Sequence, residues 1–318
     1  MSEDGTNLAA MVAKNGGIYA SNDSGISFHQ IMYPNSHLKS FTFFNNGSSL
    51  VTSYRSSGRI FISHNKGASW EDIEFADIKH RTWTSFASSS NGSLLVAASV
   101  SADGGIYISK TGGVTWIKTS APHDLRWQSV KSSYNGSVLA AMTYSSVFVS
   151  TNGGETWDES NPTGMKFYSQ NWALALSGDG SKLVAMDSAF RVVTSTDSGT
   201  TWAKAADLSD GRYGGFTSIA SSEDGSILVA GAYNGDDSIG RPLRGYVFIS
   251  TNIGVSWDLK KVFIGKQVFS VACSKDGSRL AAAVDMGGIY MSFDSGQSWA
   301  LGWEWESAFA MMNSTHIP

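Results

Sequence analysis

Cysteine is almost missing from this chain. Cys273 is the single one, so no disulfide can form within it. It falls in an apolar stretch that begins at Val271 and reads as a buried, inert thiol. Proline is scarce, with 5 in 318 residues, and charged residues make up only 16%. No apolar run approaches the ~20 residues of a membrane-spanning helix. The segment from Met1 to Gly5 has no charged start leading into an apolar run, so no signal peptide is expected. A cytoplasmic product and a mature domain of a secreted protein both fit, and the compartment stays open. Net charge is −4 with no basic stripe, which argues against a nucleic-acid partner. Familiar catalytic signatures are absent as well: no phosphate loop, no His-Glu-x-x-His, no Cys-x-x-Cys and no Gly-x-Ser-x-Gly elbow.

What the chain has is repetition. The signature Ser-x-Asp/Asn-x-Gly-x-Ser/Thr-Trp occurs seven times, at residues 21–28, 63–70, 109–116, 150–157, 195–202, 250–257 and 292–299. Successive starts are 42, 46, 41, 45, 55 and 42 residues apart. A four-stranded propeller blade takes about 40–50 residues. A second element precedes each box, an Asp/Asn-Gly-Ser/Thr turn at Gly5, Gly47, Gly92, Gly136, Gly180, Gly225 and Gly277. Asx-Gly accepts positive φ and suits a tight hairpin between apolar runs. Three of these turns also match the glycosylation sequon, at Asn46, Asn91 and Asn135, and they read as turn chemistry.

One unit reads in full as strands at 172–177, 182–186, 191–195 and 201–204. The first unit lacks its inner strand, and the segment 307–312 is a spare one. The expected fold is therefore all-β: a single domain, 1–318, forming one seven-bladed propeller of four-stranded antiparallel blades. Strand 307–312 would join the N-terminal unit and close the ring, removing exposed sheet edges.

The third box position carries Asp three times, Asn three times and Thr once, at Thr111, and Phe28 replaces the first Trp. A turn fastener tolerates this drift; a catalytic or calcium-binding carboxylate would not. The pattern resembles the Asp-box, or BNR, repeat of sialidases, the sortilin family, xyloglucan-cleaving glycoside hydrolases, Ycf48-like photosystem II assembly factors and some lectins. The resemblance covers the whole chain and implies the propeller fold, while the activities it decorates are unrelated. The sialidase arginine segment Phe/Tyr-Arg-Ile-Pro is missing, since Arg59-Ile60-Phe61 is followed by Ile62. No catalytic residue is carried over.

Candidate site residues come from aligning the inner strands on the hairpin Gly. Nine residues before it stand Leu38, Trp83, Trp127, Asn171, Phe216, Val268 and Trp305; seven before it stand Ser40, Ser85, Ser129, Ala173, Ser218, Ser270 and Ser307. The serines either relieve crowding where strands converge or floor a cavity walled by Trp83, Trp127, Phe216 and Trp305. Loops expected at one axial mouth add Arg81, Arg126, Tyr168, Arg212, Tyr213 and Trp303 as ligand contacts. His37, His80 and His123 occupy similar loops and are weak metal-site candidates. Glu304, Glu306, Asp187 and Asp285 are weak candidates for an acid/base pair, which glycoside cleavage needs at about 5–10 Å. The stretch from Tyr233 to Arg244 makes the fifth spacing long and is either a lid or a neutral loop. The expectation is a lectin-like, carbohydrate-binding propeller that takes a glycan or other small-molecule ligand at the axial mouth or in blade-edge pockets, with no cofactor. The alternatives are a glycoside hydrolase or lyase and a protein-interaction scaffold.

Overall fold

Short Val/Ile/Leu/Ala runs, broken at regular intervals by positive-φ Gly turns, dictate small antiparallel sheets and nothing else. The computed structural model describes residues 1–12, 17–32, 38–45, 47–54, 58–73, 81–101, 103–162, 173–187, 190–208, 214–234, 243–285 and 287–304. These form seven antiparallel sheets, each a simple meander of consecutive strands. The protein is an all-β, seven-bladed propeller. Blade 1 covers 8–32, blade 2 38–73, blade 3 83–118, blade 4 129–159, blade 5 173–207, blade 6 214–264 and blade 7 268–303. Blades 2 to 7 have four strands; blade 1 shows three among the described residues. The expected ring-closing strand at 307–312 lies outside the described residues.

Blade 5 shows how the sequence predicts its sheet. Ala173–Leu176 pairs with Leu183–Met186, that with Arg191–Ser195, and that with Ala203–Asp207. The first three strands match the sequence reading to within one residue, while the outer strand starts two residues later and ends three later, because the box tryptophan ends the turn. The second strand of blade 5, Leu183–Met186, and the third of blade 4, Val147–Ser150, are buried along their whole length, because neighbouring blades cover both faces.

Each seam between blades is fastened at its box. The first Ser of all seven boxes accepts the buried N–H of the box Gly at 2.8–2.9 Å. The third residue accepts the N–H of the seventh, whether it is Asp197 at 2.8 Å, Asn152 at 2.9 Å or Thr111 at 2.8 Å. A hydroxyl, an amide oxygen and a carboxylate all serve, which explains the drift. The box Gly abuts an apolar side chain of the preceding blade: Gly113 meets Ile62, Gly199 meets Val149 and Gly296 meets Ile249. Gly25 meets Met291, so blade 7 seats blade 1 in the same way. Box tryptophans fill the same seams; Trp70 donates across one to the Ile31 carbonyl at 3.0 Å.

A second set of bonds runs round the axis at the hairpin-turn end. In five of the seven units the residue two before the hairpin Gly donates its N–H to its counterpart in the next blade. Ser90 donates to Tyr134, Tyr134 to Gly178, Gly178 to Glu223, Glu223 to Lys275 and Lys275 to Glu3, all at 2.7–2.8 Å. The last bond ties blade 7 to the N-terminal segment. Trp303 adds to that closure, with its ring 5.2 Å from Tyr19 and 5.1 Å from Phe28.

Two consequences are testable. Gly113 has φ +94°, and a Cβ there would run into Ile62. Gly113→Ala is expected to lose about 2–4 kcal/mol in urea denaturation, from left-handed strain plus overpacking. The hydroxyls of Ser27, Thr201 and Ser298, aided by backbone N–H groups, hold Asp23, Asp197 and Asp294 down at about pKa 2. An unfolded Asp titrates near 3.9. Their contribution to stability is therefore present above pH ~4 and lost as pH falls toward 2. The triple Asp→Asn variant is expected to show a shallower fall in the denaturation midpoint between pH 4 and 2; a parallel fall would exclude the boxes as the acid-sensitive element.

Candidate functional site

The described candidates do not converge on one mouth. Trp83, Trp127 and Phe216 are fully buried in the seams. Trp83 donates its indole N–H to the Gly58 carbonyl at 2.9 Å and meets Tyr107 edge-on at 5.3 Å. Trp127 donates to the Pro122 carbonyl at 3.1 Å and packs on Phe148 at 5.1 Å. Phe216 lies between Phe190 and Phe248. Their faces are spent on neighbouring blades and are not presented to a cavity. Trp303 is half-buried in the closure already described. Arg81 forms a fork onto the Asp103 carboxylate, at 3.1 and 3.2 Å, and lies over the Tyr107 ring. Arg126 is exposed.

The carboxylates are similarly dispersed. Asp187 is completely buried, accepts the Arg191 N–H at 3.0 Å and pairs with the Arg191 guanidinium. Asp285 is half-buried and Glu304 exposed. Of the three histidines, His123 is exposed beside Asp124, at 3.8 Å. No group of three metal-ligating side chains occurs among the described residues. His37, His80, Tyr168, Arg212, Tyr213, Trp305 and Glu306 lie outside the described residues. So does most of the 233–244 stretch. Its two ends continue the blade 6 hairpin, pairing as far as Asn234 with Arg244.

Two of the aligned serines have a mechanical role. Ser85 accepts the Val130 N–H at 3.2 Å and Ser218 accepts the Val271 N–H at 3.3 Å, each bridging two inner strands. They are small because the strands converge, and polar because they stitch the convergence.

What the structure does form is an axial cavity of about 250 Å³, on the hairpin-turn side of the ring. Thr42, Ala87, Lys131, Ser221 and Cys273 line it, with Tyr134 and Lys275 at its end. Burial pushes the Cys273 thiol up to about pKa 12, consistent with an inert side chain, and the thiol donates to the Ser274 carbonyl. At the cavity's end the Lys275 ammonium sits 3.0 Å from Glu223 and 3.6 Å from Glu3, over the Tyr134 ring at 5.2 Å. Glu3 also accepts a hydrogen bond from the Ser90 hydroxyl. The Glu223 contact, more than any other, raises the Lys275 pKa, and burial raises that of Tyr134. Lys131 escaped the sequence reading, although it interrupts a run of small residues at one aligned position.

Residues 148–159 match the BNR/Asp-box repeat family. The chain is a β-propeller of Asp-box repeats. No curated protein matches this Asp-box propeller in sequence. Among solved structures it is similar to YCF48 from Cyanidioschyzon merolae, at TM-score 0.62 and 16% identity, over 85% of this chain and 87% of that one. It is similar to YCF48 bound to D1 peptide, at TM-score 0.57 and 13% identity, over 82% and 79%. It is also similar to U3-55K, at TM-score 0.66 and 13% identity, over 90% and 87%. At these identities the likeness is one of fold. No helix among the described residues is long and apolar enough to cross a membrane.

The Asp187–Arg191 pair yields a prediction. Removing the fully buried carboxylate takes this ion pair from the half-buried Arg191 guanidinium, so Asp187→Ala is expected to lose about 3–5 kcal/mol. Glu304→Gln, at an exposed position, is expected to leave the urea midpoint unchanged. Equal effects from the two would show that the buried pair is not structural.

Proposed function

We propose that this Asp-box propeller is a non-catalytic protein-interaction platform, acting as one domain over 1–318, whose docking side is the outer edge of blades 6 and 7. One observation carries the reading. Of ten exposed large apolar residues among those described, seven lie in blades 6 and 7, and six of these, among them Leu259, Ile264, Phe293 and Leu301, are on the outer strands or box turns; the seventh, Phe269, is on the inner strand of blade 7. An eighth, Ile26, is on adjoining blade 1, while blades 2, 4 and 5 contribute none. Exposed apolar side chains scattered singly are ordinary, but their concentration on one side marks a contact surface. The same side has the longest outer strand, Asp258–Ile264, against Ile117–Lys118 in blade 3 and Asp158–Glu159 in blade 4. A long edge strand offers unpaired N–H and C=O groups to an extended segment of a partner. A solved propeller of similar fold, YCF48, is bound to a peptide, which supports a polypeptide partner class.

The glycan and hydrolase readings have less support. Sugar stacking needs open aromatic faces, and Trp83, Trp127 and Phe216 are packed away. Glycoside cleavage needs two facing carboxylates, and Asp187 is committed to Arg191.

The double variant Leu259→Lys/Ile264→Lys tests the proposal against Val114→Lys, an exposed apolar control on blade 3. Wild type and control are expected to co-purify from the source cells with the same stoichiometric protein partner, which the double variant loses while keeping its melting temperature. No signal is expected on a glycan array. A glycan bound equally by all three proteins, or partner retention by the double variant, overturns the reading.

A further inference from the structure

Five residues before the hairpin Gly, the inner strands of blades 2 to 7 carry Thr42, Ala87, Lys131, Ala175, Ala220 and Ala272. Five of the six are small. Of these, Thr42 and Ala87 line the axial cavity, and the Lys131 side chain of blade 4 stands beside them where a small residue would leave the space open.

Among the described residues its ammonium has no counter-ion. The other cationic side chain of the cavity, Lys275, is matched by Glu3 and Glu223. Those two carboxylates are thereby occupied, and Glu3 is further engaged by Ser90. Burial alone lowers the Lys131 pKa, with no opposing charge to restore it. A half-buried ammonium without a counter-ion is costly, and an anion placed beside it removes the cost.

The rest of the wall narrows the choice of anion. Ser88 donates its hydroxyl proton to the Phe43 carbonyl at 2.9 Å, Ser132 to the Ser133 carbonyl at 2.9 Å and Ser221 to the Ser222 carbonyl at 2.8 Å. With their protons committed, these hydroxyls offer lone pairs to the channel. Burial holds the Met1 α-amino group of the same cavity down to about pKa 6, so near neutral pH the cavity presents the Lys131 charge and several acceptors, a poor match for a multiply charged anion and a good one for a single carboxylate that carries its own O–H or N–H donors. At about 250 Å³ it is smaller than the pockets that take drug-sized ligands.

We propose that the axial channel binds one small hydroxy- or amino-carboxylate, its carboxylate on Lys131 and its donors on the serine hydroxyls. This site is separate from the docking edge of blades 6 and 7, and either assignment can fail without the other.

Calorimetric titration and melting curves with lactate, serine, acetate, chloride and inorganic phosphate test it on the full chain, for wild type and Lys131→Met. Lactate or serine is expected to bind saturably and raise the wild-type melting temperature, with at least a tenfold advantage in affinity over acetate and chloride. The response is expected to vanish in Lys131→Met, which without ligand should melt above wild type because an uncompensated charge is gone. A second measurement uses wild type alone: acetylation of Lys131 by acetic anhydride, followed by mass spectrometry, is expected to slow at least tenfold with saturating lactate. An unchanged acetylation rate, an equal response in Lys131→Met, or chloride or phosphate binding as well as lactate overturns the proposal.

Discussion

A ring of sheets closes only if every seam has the same narrow width at the same height, and in this molecule the box glycine sets that width. It has no Cβ, so the apolar side chain of the preceding blade comes right up to its backbone, as Ile62 does at Gly113 and Ile249 at Gly296. Its φ is positive, so the chain turns sharply enough to bring the next strand back, and its buried N–H is satisfied by the first Ser of the box. A side chain at this point would fail on conformation and on space together. The tryptophans, the middle strands and the inner-strand serines are all placed relative to this contact.

The same constraint explains which box residues vary. The Ser and the Gly are present in all seven copies because each faces a buried partner. The Asx position faces water and needs only an acceptor, so Asp197, Asn152 and Thr111 are equivalent there. The carboxylates so prominent in the repeat are thus turn chemistry, with pKa values held low by local hydroxyls. Function is to be sought in residues that break the period: the long outer strand of blade 6, the apolar side chains of blades 6 and 7, and Lys131.

The fold was legible because its signals recur. Seven Asx-Gly turns and seven boxes at one spacing leave little choice of architecture, and blade 5 needs only small shifts of its strand ends. The site was much less legible. Large aromatics nine residues before the turn suggested a cavity wall, yet Trp83, Trp127 and Phe216 are drawn into the seams, where covered blade faces demand large apolar plugs. The seam and the cavity ask for the same residue types, so composition cannot separate them. Lys131 carried the opposite kind of signal, an exception within a ring of small residues. It becomes visible only when each aligned position is read for its outlier and not for its consensus.

The bond from the Lys275 N–H to the Glu3 carbonyl, together with Trp303 against Tyr19 and Phe28, joins segments separated by nearly the whole chain. During synthesis, blade 1 waits for its neighbour on that side until blade 7 has been made. Every other seam forms between consecutive units soon after they emerge, at short loop length. Closure thus joins the seam of greatest sequence separation in the ring. Until it occurs, the growing arc shows an unsealed flank at blade 1, and a nascent chain is most exposed to wrong pairing there.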